Sequence, residues 1–367
     1  MSRLPARPSA PISPPTSPAS PPTSARRFVG ARRALVVLAL LTLAVACGGG
    51  DGGEDGSAVT EGGGATDGSE LAVAVASFDV HVGDDVRLLT GLFTPERQLL
   101  AFGTVTYQLG YLGEDAGGEA TLTQEVTATY LPIPGMEPAG DGDAPSLLTE
   151  TSGNGVYAAR VEFDEPGNWG LRVLAELADG RTLEGQAVFP VAAAPAVPAV
   201  GDQAPRSVNL TLDDVAEGRA RPIALDSRAQ DDDTPVEDIP DPHLHERTVA
   251  GSLAAGRPVL VTVATPVYCV SRFCGPLTSV ISDLAREYED VVDTIHLEVW
   301  EDFDEQELNP AAAEWIQTEL GGNEPWVFLV DGDGTIVARW DNVLDVEELR
   351  GHLDELPPLP DEPDADA

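Results

Sequence analysis

The chain has 367 residues, 42% of them hydrophobic, which at roughly 100–200 residues per domain is enough for two folded domains plus tails. It contains no lysine, and its 21 basic residues, all Arg, face 62 Asp and Glu for a net charge of −41. Such a surface repels a phosphate backbone and excludes nucleic acid as a partner, while 37 Gly and 31 Pro exclude a chain packed throughout its length.

Residues 1–46 read as a signal peptide with a Pro/Ser-rich extension: eight Pro lie between Pro5 and Pro22, and six Arg stand there with no acid. Residues 34–46 are thirteen uninterrupted apolar or small residues behind Arg32 and Arg33. That is shorter than the ~20 residues a spanning helix needs and has the shape of a signal-peptide hydrophobic region. The segment ends in Leu43-Ala44-Val45-Ala46-Cys47 followed by three glycines, which resembles a bacterial lipobox. The resemblance implies lipidation of Cys47 and an extracytoplasmic chain anchored to the cell membrane. Residues 47–70 are mostly Gly, Asp, Glu, Ser and Thr and read as a flexible tether.

Over residues 71–192 short runs alternate between apolar and polar positions, at 71–82, 86–93, 102–112, 121–131, 155–163, 169–177 and 182–191, with Gly, Pro, Asn and Asp between them. Seven such runs in this length predict a β-sandwich. Along Val156, Ala158, Val161 and Phe163 the alternation slips once, which predicts a bulge. The run from Gly155 to Leu177 resembles the late strands of bacterial immunoglobulin-like domains, with Trp169 entering the core. His81 is expected on the surface, and the job expected of this domain is spacing or docking.

An Ala/Pro linker leads to Val200-Gly201-Asp202-Gln203-Ala204-Pro205, and residues 226–246 form an acidic, Pro-rich excursion that predicts an exposed loop. The continuous apolar run 258–265 predicts a central strand covered on both faces. Cys269 and Cys274 follow, and apolar residues at Leu277, Val280, Ile281, Leu284, Ala285 and Tyr288 predict a helix. Strands at 294–300, 326–330 and 335–340 and helices at 311–320 and 346–356 complete the pattern. Strand, cysteine pair, helix, strand, helix, Pro325, hairpin and helix resemble the thioredoxin-like fold over residues 200–356. The expected fold class is thus multidomain: an all-β immunoglobulin-like sandwich, then an α/β thioredoxin-like domain, then a disordered acidic tail at 357–367. The whole resembles a thioredoxin domain-containing bacterial lipoprotein.

A thiolate is the species that attacks a disulfide, and a helix N-terminus favours it. On that resemblance Cys269 is the attacking sulfur, Cys274 the resolving one, and the two form a disulfide; Arg272 adds positive charge. Pro325 takes the place of a cis-proline facing the pair, and Glu324 beside it, with Tyr268 before Cys269, is expected to bind substrate. The implied activity is thiol–disulfide exchange with a protein disulfide or thiol, no cofactor, and a separate redox partner. Four residues separate the cysteines, so three other readings stay open. One is a structural disulfide in a non-catalytic binding or scaffold lipoprotein. Another is a peroxiredoxin-like peroxidase, because Thr265-Pro266 precedes Cys269. The third is a copper-handling protein using His296 or His352. His243 and His245 are expected to be solvated, no metal site is expected, and Glu298 or Glu301 is a candidate proton acceptor.

Overall fold

The computed structural model describes residues 70–116, 121–140, 142–148, 154–229, 231–269, 271, 273–318 and 323–359. All of them belong to a compact unit that spans residues 55–367. The leader, Cys47 and its tether lie outside the described residues, as do Val270, Arg272 and the end of the tail.

Nine strands come first: β1 (Leu71–Val75), β2 (Gly83–Phe93), β3 (Leu99–Ala101), β4 (Thr104–Gly113), β5 (Thr121–Pro132), β6 (Ser146–Leu148), β7 (Gly155–Phe163), β8 (Gly167–Glu176) and β9 (Thr182–Val191). They hydrogen-bond in the order β1-β9-β8-β4-β5-β7-β2-β3-β6, and β1 also pairs with β2. That last pairing closes seven strands into a barrel, where a sandwich would keep two sheets with open edges. The immunoglobulin-like sandwich is therefore corrected to a closed seven-strand barrel. β1 makes the closure by running antiparallel to β2 and parallel to β9. At the parallel seam a Cβ on Gly185 would lie 2.6 Å from Val73 Cγ2 and 2.8 Å from the Leu71 carbonyl oxygen, so only glycine lets the strands approach there.

Period-two burial fills the barrel: in β9 the residues Leu183, Ala187, Phe189 and Val191 are buried and alternate with exposed ones. Trp169 is fully buried and meets Phe163 edge-on at 5.0 Å between ring centroids. The bulge expected in β7 lies instead on its neighbour: the β2–β7 register shifts between Gly83 and Val86 of β2, opposite Phe163 and Val161. Tyr157, Ala159, Val161 and Phe163 alternate regularly into the barrel, while Val156 and Ala158 face outward into a separate cluster with Leu89, Ile133 and Val343. The apparent slip is one strand burying residues on both faces.

The second part contains α1 (Leu212–Ala216), α2 (Pro222–Leu225), α3 (Val249–Ala254), β10 (Val259–Ala264), α4 (Cys274–Glu287), β11 (Asp293–Glu298), β12 (Trp300–Asp302), β13 (Glu307–Leu308), α5 (Pro310–Ala313), β14 (Trp326–Val330), β15 (Ile336–Asp341) and α6 (Val346–Asp354). Four strands form a sheet in the order β11-β10-β14-β15, with β10 and β11 parallel and the other pairs antiparallel. β10 is buried along its whole length. Leu260 faces α4 residues Leu277, Ile281 and Leu284, and Val259, Val261 and Val263 face Trp315 and Phe328. That double burial explains its unbroken apolar sequence.

The thioredoxin-like α/β fold expected here is corrected as well. Among the described residues strand accounts for 38% and helix for only 18%, so this part is predominantly β with a closed barrel. The helix expected at 311–320 is a single turn at Pro310–Ala313 among the described residues, because Asn309 caps it while Trp315 and Ile316 are already drawn into the core. The strand expected at 294–300 divides into β11 and β12. The exposed loop expected at 226–246 is instead anchored: Asp226, Ala229, Ile239, Leu244 and His245 are all buried.

The barrel and the four-stranded sheet share a polar seam. The end of β15 meets the chain between β1 and β2: Phe78 N–H donates to Asp341 Oδ2 (2.5 Å), and Asn342 Nδ2 donates to the Ala76 carbonyl (2.8 Å). Arg87 of β2 donates to the Asp341 and Val343 carbonyls at 3.1 and 2.7 Å. Arg339 pairs with the buried Asp79 at 3.0 Å. His81, expected on the surface, is partly buried with Nε2 2.8 Å from Arg339 Nη2.

Candidate functional site

β10 delivers the chain to a short turn and α4 carries it away, and the two cysteines sit at the ends of that turn. Cys269 and Cys274 form a disulfide with Cα atoms 6.0 Å apart, within the ordinary range. Their environments differ. Cys274 is the first residue of the fourteen-residue α4 and is fully buried, whereas Cys269 is partly exposed in the turn. The helix N-terminus therefore favours negative charge on Cys274 rather than on Cys269, to which the sequence pattern assigned it. Ser271 Oγ lies 3.2 Å from Cys269 Sγ.

Glu324 faces the pair, with carboxylate and sulfur atoms all within 4.8 Å of one another, and the Glu324–Pro325 peptide bond is cis. Sequence reasoning named Glu324 as a substrate-binding residue; its carboxylate beside the sulfurs is the unexpected feature. Burial, followed by repulsion from Glu298, pushes its carboxyl up to about 8. Glu298, at the end of β11, is almost completely buried and accepts hydrogen bonds from the N–H groups of Ser227 and Val299, both at 2.9 Å. Burial still pushes this carboxyl up to about 7. Glu324, with Glu298 acting on it, thus holds its proton near neutrality beside the cysteine pair, as proton transfer to and from a thiolate requires.

A titration checks Glu324. Its proton is held more tightly in the folded chain than in the unfolded one, so stability from this group is full below about pH 4.5 and is lost as pH rises toward about 8. Glu324→Gln removes that loss. The variant is expected to match the parent near pH 4 and to gain on it by up to about 1.4 kcal/mol per pH unit above that, read from urea unfolding across the range. An equal pH slope in both chains refutes the assignment.

Tyr268 stacks on Phe303 with ring centroids 4.0 Å apart. With Trp300 these rings line a groove of about 340 Å³ whose other walls include Asp232, Glu301 and Asp304. Tyr268, which precedes Cys269 in sequence, is one of the residues that line this groove. Glu301 is exposed there, away from the fully enclosed Glu298.

Behind the site lies a cluster that composition concealed. Asp226, His245 and His296 are all buried, and one donor atom from each lies within 4.8 Å of the others. Burial alone would raise the Asp226 carboxyl, but the His245 imidazole and the Arg228 guanidinium beside it hold it well below the usual range. Burial pushes His296 down to about 4, so it is neutral at pH 7. His243, by contrast, reaches the Ser282 carbonyl at 3.3 Å, and His352 packs on Trp340. Asp226 had no distinguishing signal in an acidic run; the neighbouring apolar Ile239 and Leu244 were the available hint that the loop is anchored.

The sequence matches no protein-family model and no curated protein. The resemblance to thioredoxin domain-containing lipoproteins accordingly rests on no family match, and the predominantly β architecture overturns it.

Proposed function

We propose that the chain is a thiol–disulfide oxidoreductase working through Cys269 and Cys274. The asymmetry of the pair supports this reading best: one sulfur is reachable, and its partner is buried at the start of α4. In the reducing direction the Cys269 thiolate attacks a substrate disulfide, forming a mixed disulfide and releasing one substrate thiolate. The Cys274 thiolate then attacks Cys269 Sγ, which releases the second substrate thiolate and leaves the Cys269–Cys274 disulfide. Two electrons pass to the substrate, and Glu324 is placed to exchange a proton with the departing sulfur. In the oxidising direction an external thiolate attacks Cys269, and Cys274 leaves with its charge stabilised by the helix N-terminus.

The substrate in this reading is a protein thiol or disulfide laid against Tyr268 and Phe303, and a separate redox partner resets the pair. The chain works outside the cytoplasm, held to the membrane through a lipid on Cys47. None of the described helices is long and apolar enough to cross a membrane.

Equilibration against glutathione and dithiothreitol buffers, with alkylation and mass to read the cysteine state, tests the proposal. The expected potential lies between about −120 and −270 mV, the range of exchange catalysts. A value below about −300 mV marks a structural disulfide in a binding module and ends the proposal.

A further inference from the structure

We infer that Asp226, His245 and His296 form a binding site for a divalent transition-metal ion of the Zn²⁺ class. The inference does not depend on the redox chemistry. It begins with one hydrogen bond: His296 Nε2 lies 3.0 Å from the Ala264 carbonyl oxygen at the end of β10, and a carbonyl can only accept. The proton is therefore on Nε2, and Nδ1 presents a lone pair inward.

That Nδ1 has no hydrogen-bond partner and lies 3.9 Å from Asp226 Oδ2. His245 Nε2 pairs with the same oxygen at 3.4 Å, and its Nδ1 has no hydrogen-bond partner although the residue is completely buried. Buried imidazole nitrogens left without partners are costly. An ion held at about 2.0–2.1 Å by each donor sets tetrahedral ligand atoms about 3.4 Å apart, against 3.4 and 3.9 Å from Asp226 Oδ2 to the two imidazoles and at most 4.8 Å between the imidazoles. Two imidazoles and one carboxylate form the donor set that suits zinc and its neighbours, with a fourth position for water.

The surroundings orient these donors. The Ala264 carbonyl fixes the His296 ring, as outer partners of metal-bound histidines do. Arg228 holds both oxygens of the Asp226 carboxylate, with Nε 3.0 Å from Oδ1 and Nη2 2.6 Å from Oδ2. Its positive charge is answered by Asp241, 2.8 Å from Nη1. The donors come from three separate places in the chain: the residue after α2, the turn before α3, and the middle of β11. An ion would therefore tie the 226–246 segment to the sheet.

The test is a zinc titration of the full chain after chelator treatment, with a chromophoric competitor for affinity and mass spectrometry of metal content for stoichiometry. Co²⁺ in place of Zn²⁺ gives a visible spectrum that reports tetrahedral nitrogen and oxygen ligands. Because reduced cysteines also bind zinc, the titration is run on the oxidised chain and on a Cys269→Ser, Cys274→Ser double variant. One ion per chain is expected in both, with at least tenfold weaker binding in His245→Asn and in His296→Gln, and a higher unfolding midpoint when zinc is added. Circular dichroism shows which variant is folded, and either one suffices. No bound ion in the oxidised chain, binding that survives in a folded His variant, or binding lost in the double cysteine variant each overturns the inference.

Discussion

A Cys274→Ser variant of this chain accumulates a mixed disulfide between Cys269 and its substrate. Cys269 is the exposed sulfur of the pair and Cys274 the buried one, so the first attack still occurs while the thiol that resolves it is gone. The adduct is expected on non-reducing gels and by intact mass, and a thiol reductant dissolves it. Cys269→Ser is expected to lower exchange turnover by on the order of 10³-fold or more, as loss of a covalent nucleophile does. It should form no adduct, because Cys274 Sγ is closed to a protein substrate. Adduct formation through Cys274 in the Cys269→Ser variant would reverse the assigned roles, and no adduct in either would identify a structural staple.

The second large effect belongs to the seam between barrel and sheet. The Arg87 guanidinium is almost fully buried, with Nη1 3.4 Å from Asp341 Oδ1 and further hydrogen bonds to the Asp341 and Val343 carbonyls. Arg87→Ala removes these bonds and leaves the Asp341 carboxylate buried without its cation. Breaking a buried pair by deleting one partner costs about 3–5 kcal/mol, so a fall of that size in urea unfolding free energy is expected. Because the seam joins two hydrophobic cores, the variant should also lose the coincidence of tryptophan fluorescence and circular dichroism transitions that a single cooperative unit shows. A loss under about 1 kcal/mol, with coincident transitions, would show that apolar contacts alone join the two parts.

What the sequence made legible is what is local. The alternation of β8 and β9, the unbroken run of β10, the turn between two cysteines and the apolar stripe of α4 each lie within a dozen residues and follow from strand and helix periodicity. Barrel closure does not. It depends on Leu71 meeting Gly185, and the alternation of inward residues is the same in a barrel as in a sandwich. The β7 pattern misled for a related reason: Val156 and Ala158 are apolar because the second part covers them, a fact about the seam rather than the strand. The cysteine pair was visible at once, and so was the cis-proline after Glu324. The carboxyl of Glu324 against the sulfurs and the grouping of Asp226 with two histidines were not. Each depends on burial that composition hides, and Asp226 stands in one of the most acidic stretches of the chain.

The closure of β1 also decides how the fold meets a pull. β1 is bonded on both sides, to β2 and to β9, and the Glu70 N–H adds a bond to the Glu184 carbonyl at 3.0 Å. A tug on the chain ahead of Leu71 runs along this strand, across the perpendicular bonds to β2 and the slanted ones to β9. The load is shared by many bonds in shear, where an edge strand would surrender them one at a time by peeling. A pull applied ahead of Leu71 therefore meets a strand held on both sides, and it must break the β1–β2 and β1–β9 bonds together before the barrel opens.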